Sequence, residues 1–153
     1  GPSFIPGYYN QPENTNKMFK DGWFQSSDVV RVDENGYCTF VARKDDLINR
    51  GGYKIDPREI EDILYTHPDI EQAAIVGFPD ERLGQRAAAV VVLKDKTKTM
   101  ELKDITKFLE EKGVSKVRWP EALKIVDSFP MTSTGKFQRY LLREAVKDIK
   151  PQR

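Results

Sequence analysis

Two apolar runs, Glu71 to Phe78 and Arg86 to Leu93, constrain the fold more than any other feature of this chain. Both are rich in Ala, Val and Ile, and the turn-forming stretch Pro79-Asp80-Glu81-Arg82-Leu83-Gly84 joins them. That pattern predicts paired core strands with a turn-rich connection. Around the pair, Ile60, Ile63 and Leu64 mark one amphipathic helix, and Leu102, Ile105, Phe108 and Leu109 mark a second that ends near Gly113. Leu123 to Val126 adds a short strand. Strands and helices in this order predict an α+β fold: a short mixed sheet covered by helices.

Size and charge narrow the possibilities further. A chain of 153 residues holds one domain with a real core, or a small domain plus part of another. Apolar residues make up 39% and charged residues 32%, while the formal net charge is only +1. Acids and bases interleave, so the basic stripe expected of a nucleic-acid binder is missing. The single cysteine, Cys38, excludes an internal disulfide framework and a multi-cysteine zinc site. Its place in an alternating run, Tyr37 to Ala42, reads as a buried strand thiol. His67 is the only histidine, and Pro68 follows it at a helix exit, which reads as a turn role with no metal cluster to join. No apolar run is long enough to span a membrane, and no signal-peptide pattern opens the chain, so the expected setting is cytoplasmic.

The first third differs in character. Gly1 to Asp21, rich in Gly, Pro, Asn and Tyr, reads as irregular, tethered chain. Asp28 to Val32 and Tyr37 to Ala42 alternate around an Asn35-Gly36 step, a strong hairpin signal. A lone hairpin is marginal in water and needs a surface to lie on.

Two further stretches carry chemistry. Ala42 to Glu61, ARKDDLINRGGYKIDPREIE, combines a cationic side chain, a carboxylate pair, a glycine pair and a helix start in which Asp56 caps and Pro57 takes the first turn. Here Glu59 and Glu61 read as cap and solvated face. Far downstream, Pro130 to Arg139, PMTSTGKFQR, joins small hydroxyl residues and one glycine to Lys136. It lacks the glycine spacing and trailing Ser/Thr of a P-loop; flexible polar residues there would let the lysine project into a neighbouring cleft. Taken alone, each feature has a plain reading too: Asp28 as a turn-former, Arg43 as a surface arginine paired with Asp45 or Asp46, Gly51-Gly52 as a simple turn, Lys136 as a solvated lysine.

Taken together, these motifs resemble the adenylate-forming superfamily: acyl-CoA synthetases, aryl-acid ligases, luciferases and the adenylation domains of peptide synthetases. The likeness rests on GWFQSSD at Gly22 to Asp28, on the stretch from Arg43 to Gly52, and on the full Pro-x-Thr-x-x-Gly-Lys-x-x-Arg pattern ending at Arg139. Ser27 and Ala42 stand where the family usually has glycine, and Asn49 where it often has lysine. The resemblance implies that this is the C-terminal part of a larger enzyme: residues 1–44 as the β-hairpin tail of a large N-terminal domain, and residues 45–153 as a small mobile domain. It implies that Asp28 and Arg43 hold the ribose of ATP or AMP, and that the small domain turns about Asp45. Gly51 and Gly52 would then flank the pantetheine channel, and Lys136 would contact the carboxylate substrate and the α-phosphate. Arg139 is expected to anchor the last helix.

The implied reaction is AMP-forming acid–CoA ligation, of the kind found in fatty acid metabolism. Its substrates are a carboxylic acid, ATP and CoA, and Mg2+ travels with ATP and is held mainly by the N-terminal domain. Two alternatives remain at this level, an aryl-acid ligase that loads the pantetheine thiol of a carrier protein, and a non-catalytic docking module. The family's phosphate- and adenine-binding motifs are not in this sequence, so by itself it is expected to be inert.

Overall fold

Strands β7 (Ile70–Asp80) and β8 (Gly84–Leu93) pair antiparallel along their length, Ile70 opposite Leu93 and Asp80 opposite Gly84, as their apolar runs predict. The computed structural model in which this is seen describes residues 4–152. The chain divides into two compact units at the Asp45–Asp46 step.

In the downstream unit, β8 is the central strand. Beside β7 it carries β9 (Ala122–Ile125), parallel, with Ala88 opposite Ala122. Near Gly84 it meets Arg50 of β5 (Ile48–Arg50), which forms a hairpin with β6 (Tyr53–Ile55). The sheet is therefore mixed, and β7 is one of its edges. Helices cover both faces. Ala73, Ile75, Ala89 and Val91 face Ile60 and Leu64 of α2 (Pro57–Leu64), and Ile105 and Leu109 of α3 (Leu102–Glu111). On the other side Ala74, Val76, Phe78 and Val90 face Leu142 and Val146 of α4 (Arg139–Val146). This explains why both strands read as continuous apolar runs, since burial on two faces removes the need for alternation. The alanines of β8 let the helices approach closely.

Local signals account for the helix starts. Asp56 Oδ1 accepts from the Arg58 N–H at 3.0 Å, and Pro57 supplies the fixed φ of the first turn. At α3, Asp104 Oδ2 accepts from the Glu101 N–H at 2.8 Å. His67 Nδ1 accepts from the Asp69 N–H at 3.1 Å, and burial against Phe108 lowers its pKa despite the nearby Asp69 carboxylate. Its role is that of a turn residue.

The upstream unit departs from the sequence reading in two places. Of the stretch Gly1 to Asp21, residues 1–3 lie outside the described residues and residues 4–11 are irregular as expected, but the part from Pro12 onward is regular. It forms α1 (Pro12–Met18) and then β1 (Phe19–Lys20), which pairs with β2 (Trp23–Phe24). Asp21 and Gly22 both have positive φ, 52° and 79°, the backbone of a tight hairpin turn, and the Asp-Gly step was the overlooked signal. Phe4, Phe19 and Phe24 cluster over it with centroids 5.2–5.9 Å apart. The second departure is Cys38, which is exposed. Strands β3 (Asp28–Val32) and β4 (Cys38–Arg43) form a two-stranded ribbon, and Val32 and Phe40 are exposed alongside the thiol. Alternation along the strand was real, but a two-stranded ribbon has no second layer to bury one face.

A buried carboxylate locks the downstream sheet. Glu121, 3% exposed, accepts from Arg50 Nε at 2.7 Å and from Arg86, which also pairs with Asp80. Burial alone would raise its pKa; the hydrogen bonds from Arg86 and Arg50 outweigh that and hold it below the ordinary value of 4.5. A carboxyl whose folded pKa is depressed contributes stability above its unfolded pKa and loses it as pH falls through the folded value. Glu121→Gln should therefore cost about 3 kcal/mol at neutral pH by leaving the part-buried Arg50 without its counter-charge and Arg86 with Asp80 alone. In urea melts, the gap to wild type should shrink as pH drops below 4.5.

Candidate active site

The lysine loop is a closed hairpin. Met131 bridges to Phe137, the Thr132 N–H donates to the Lys136 carbonyl at 2.7 Å, and the Gly135 N–H donates to the Thr132 carbonyl at 3.0 Å. The Lys136 N–H donates to Thr132 Oγ1 at 3.1 Å, and the Thr132 and Thr134 hydroxyls are 2.9 Å apart. Gly135, at φ 79°, supplies the left-handed residue the turn needs. The Thr132 and Thr134 hydroxyls thus bond within the loop. The reach of the ammonium comes from the four-carbon lysine stem. Lys136 is exposed, and its ammonium has no ion-pair partner among the described residues.

The residues just after Lys136 are firmly held. Phe137 packs on Phe129 at 5.6 Å, and the Arg139 guanidinium lies 5.0 Å over the Phe137 ring. Arg139 donates to both carboxylate oxygens of Glu61, at 2.6 and 3.0 Å, and to the Ile75 carbonyl at 2.9 Å. Burial would lower the Arg139 pKa, but the Glu61 carboxylate more than compensates and raises it. Glu61 is 6% exposed, which corrects its reading as part of a solvated face. It lies three residues before buried Leu64, hence on the inward side of α2, and that spacing could have revealed it. Asp46, read from the sequence as a partner open to Arg43, is instead shared by Arg143 (Nη2–Oδ1 2.6 Å) and Arg139 (Nε–Oδ2 3.8 Å).

The glycine pair forms the two-residue turn between β5 and β6, with φ of 57° at Gly51 and 89° at Gly52. Asn49 Oδ1 accepts from the Gly52 N–H at 3.1 Å, and the Gly51 N–H donates to the Leu83 carbonyl at 2.7 Å. Asn49 therefore has a turn-stabilising role in the place of a charge.

In the upstream unit, Asp28 and Arg43 stand directly opposite each other in the β3–β4 register, with Nε and Oδ1 3.7 Å apart. Their side chains are 46% and 54% exposed, so the pair is open to a ligand. Asp45 is the last residue of that unit. Among the described residues, no group of three or more His, Cys, Asp or Glu is placed to hold a metal ion. No helix among them is long and apolar enough to cross a membrane.

Residues 59–136 match the family model for the AMP-binding enzyme C-terminal domain. The chain belongs to this family. Among curated relatives, the medium-chain fatty-acid–CoA ligase of Escherichia coli K12 is 42% identical over 150 residues, covering 97% of this chain and 26% of that protein. The 2,3-dihydroxybenzoate-AMP ligase of Bacillus subtilis is 38% identical over 150 residues, covering 97% of this chain and 27% of that protein. The chain thus spans about a quarter of the length of the relatives it matches. Among solved structures, ATP-bound MatB from Rhodopseudomonas palustris superposes with a TM-score of 0.84 at 34% identity, over 97% of this chain and 29% of MatB.

The turn of the lysine loop needs the left-handed backbone angle of Gly135. An added Cβ at Gly135 would meet no atom within 4 Å, so substitution tests the positive φ alone. Gly135→Ala should lower stability by about 1–2 kcal/mol, and Gly135→Asn by less, since Asn tolerates the left-handed region. Thermal unfolding of the two variants checks the order.

Proposed function

We propose that this chain is the lysine-bearing C-terminal part of an ATP-dependent, AMP-forming carboxylic acid–CoA ligase, working against a large N-terminal domain. The observation that carries the reading is an exposed lysine ammonium, unpaired among the described residues, on a hydrogen-bonded loop of an AMP-binding enzyme C-terminal domain. In the first step an oxygen of the substrate carboxylate attacks the α-phosphorus of ATP. The bond to the β-phosphate breaks, leaving acyl-AMP and pyrophosphate. Two anions must meet, and the Lys136 charge between them offsets their repulsion and stabilises the crowded phosphorus centre. Asp28 accepts from the vicinal ribose hydroxyls, and Arg43 donates to them from the opposite strand. Mg2+ enters with the nucleotide, and the N-terminal domain is its proposed host.

In the second step the small domain turns about Asp45, a short polar segment between packed units where backbone torsion can change. Lys136 withdraws, and the Gly51-Gly52 turn, free of side chains, lines the path of a thin pantetheine arm. The thiol sulfur of CoA attacks the acyl carbonyl, AMP leaves, and the thiol proton passes to solvent. CoA is the proposed acceptor because several CoA ligases stand among the relatives, including the one at 42% identity. The relative named for 2,3-dihydroxybenzoate supports a second reading, an aryl-acid ligase that loads a carrier-protein thiol. Either reading carries a cytoplasmic setting, where ATP and CoA are supplied.

Lys136→Ala in the intact protein should slow acyl-adenylate formation about 10²–10³-fold, the loss of one preorganised charge at the reacting centre. ATP–pyrophosphate exchange over a panel of aliphatic and aromatic acids measures it; an unaltered rate would point to a docking module. Acyl-CoA formed from free CoA with an adenylated acid supports the CoA reading, and its absence with every such acid would favour a carrier protein.

A further inference from the structure

β7 is an edge of the downstream sheet, and an edge strand presents N–H and C=O groups that need partners. At Ile75 both are satisfied by one ion pair. The Ile75 N–H donates to Glu61 Oε1 at 2.7 Å, and its carbonyl accepts from Arg139 at 2.9 Å. Glu61 belongs to α2 and Arg139 opens α4, so the pair clasps the sheet edge between helices from opposite faces. Arg139 stands three residues after Lys136 and has the loop's Phe137 beneath it. The same guanidinium faces Asp46, the first residue of the downstream unit, whose other oxygen takes Arg143 one helical turn further along α4.

From this geometry we infer that Glu61 and Asp46 are positioning residues for Lys136. Through Arg139 they join the lysine loop to the sheet edge and to the chain immediately after Asp45, so a turn of the backbone at Asp45 carries the loop as one piece. Neither carboxylate need touch substrate, and neither lies in the lysine loop. The kinetic consequence rests on the ligase reading above; the mechanical one does not.

Glu61→Gln tests both, because the amide keeps an oxygen for the Ile75 N–H while Arg139 loses its two-pronged carboxylate and keeps only the longer contact to Asp46. The mechanical readout is hydrogen exchange in the chain itself. The amides of Thr132, Gly135, Lys136 and Gln138 should exchange at least about tenfold faster than wild type, while those of α3 keep their protection. Asp46→Asn should act on the same amides, more weakly. The kinetic readout uses the intact protein. Adenylation kcat should fall about 10–100-fold, as expected of a misplaced catalytic group, with KM for ATP within about twofold. Thioester formation from added acyl-adenylate should change less than about twofold. Arg139→Lys, which keeps the charge but loses the two-pronged contact, should reproduce the defect.

Unchanged exchange in the lysine loop of Glu61→Gln would overturn the inference. So would equal loss in both half-reactions, or faster exchange throughout the unit, since each marks a general structural role. A wild-type protein that adenylates no acid would sink the ligase reading alone, and loop exchange would still decide the coupling.

Discussion

The downstream unit depends on a strand pair that is apolar on both faces. Once β7 and β8 zip together, neither face tolerates water, and helices must be delivered to each side. α2 and α3 take one face and α4 the other, so the chain must return past the sheet before its last helix. The lysine loop forms part of that return, immediately ahead of α4. Its location is a consequence of covering a hydrophobic sheet, and only its residue types belong to chemistry.

Two buried carboxylates fix the arrangement that hydrophobic burial leaves undetermined. Apolar contact is non-directional, and a helix over a flat sheet can slide or rotate with little penalty. Glu61 removes that freedom for α2 and α4 at the β7 edge by requiring Arg139 and the Ile75 N–H, while Glu121, just ahead of β9, ties β5 to β8 by requiring Arg50 and Arg86 together. Such pairs gain little net stability over apolar packing, because desolvation offsets most of the attraction. Their effect is geometric: misplacing either carboxylate would strand a buried charge. The surface pairs Lys98–Asp69 and Lys103–Glu101 are largely exposed, and solvent screening leaves them little influence on position.

Periodicity and turn chemistry made most of the fold legible before any coordinates. The paired core strands, the helices of Ile60 and Ile105, the Asp56 cap and the Asn35-Gly36 hairpin all rest on local signals, and local signals are what a sequence displays. Lys136, Asp28 and Arg43 were singled out for a different reason, the resemblance of their motifs to those of a known family, and their roles belong to the proposal. The ion-pair partners of Glu61 and Glu121 were not legible, since Arg139 and Arg50 stand 78 and 71 positions away. Nothing near Glu61 announces an arginine beyond the opposite face of the sheet. Cys38 failed for the complementary reason: alternation tells which residues share a face, but not whether anything packs against it.

On the proposed reading, the loop faces conflicting demands. A lysine that must stabilise charge in one arrangement and leave in the next gains from having no carboxylate of its own, because a resident partner would quench it and resist its withdrawal. Yet an ammonium on a loose loop would arrive in many poses, and a misplacement of about 1 Å weakens catalysis sharply. The two requirements are met by different residues. Lys136 stays without an ion-pair partner among the described residues, while Arg139, a short step along the chain, takes two carboxylates and a backbone carbonyl. An arginine suits the second task because its fork fixes direction as well as distance, and a lysine suits the first because its point charge can serve oxygens approaching from several angles. Exchanging the two residue types would leave net charge unaltered but reverse both properties, giving a rigid reagent on an imprecisely held base.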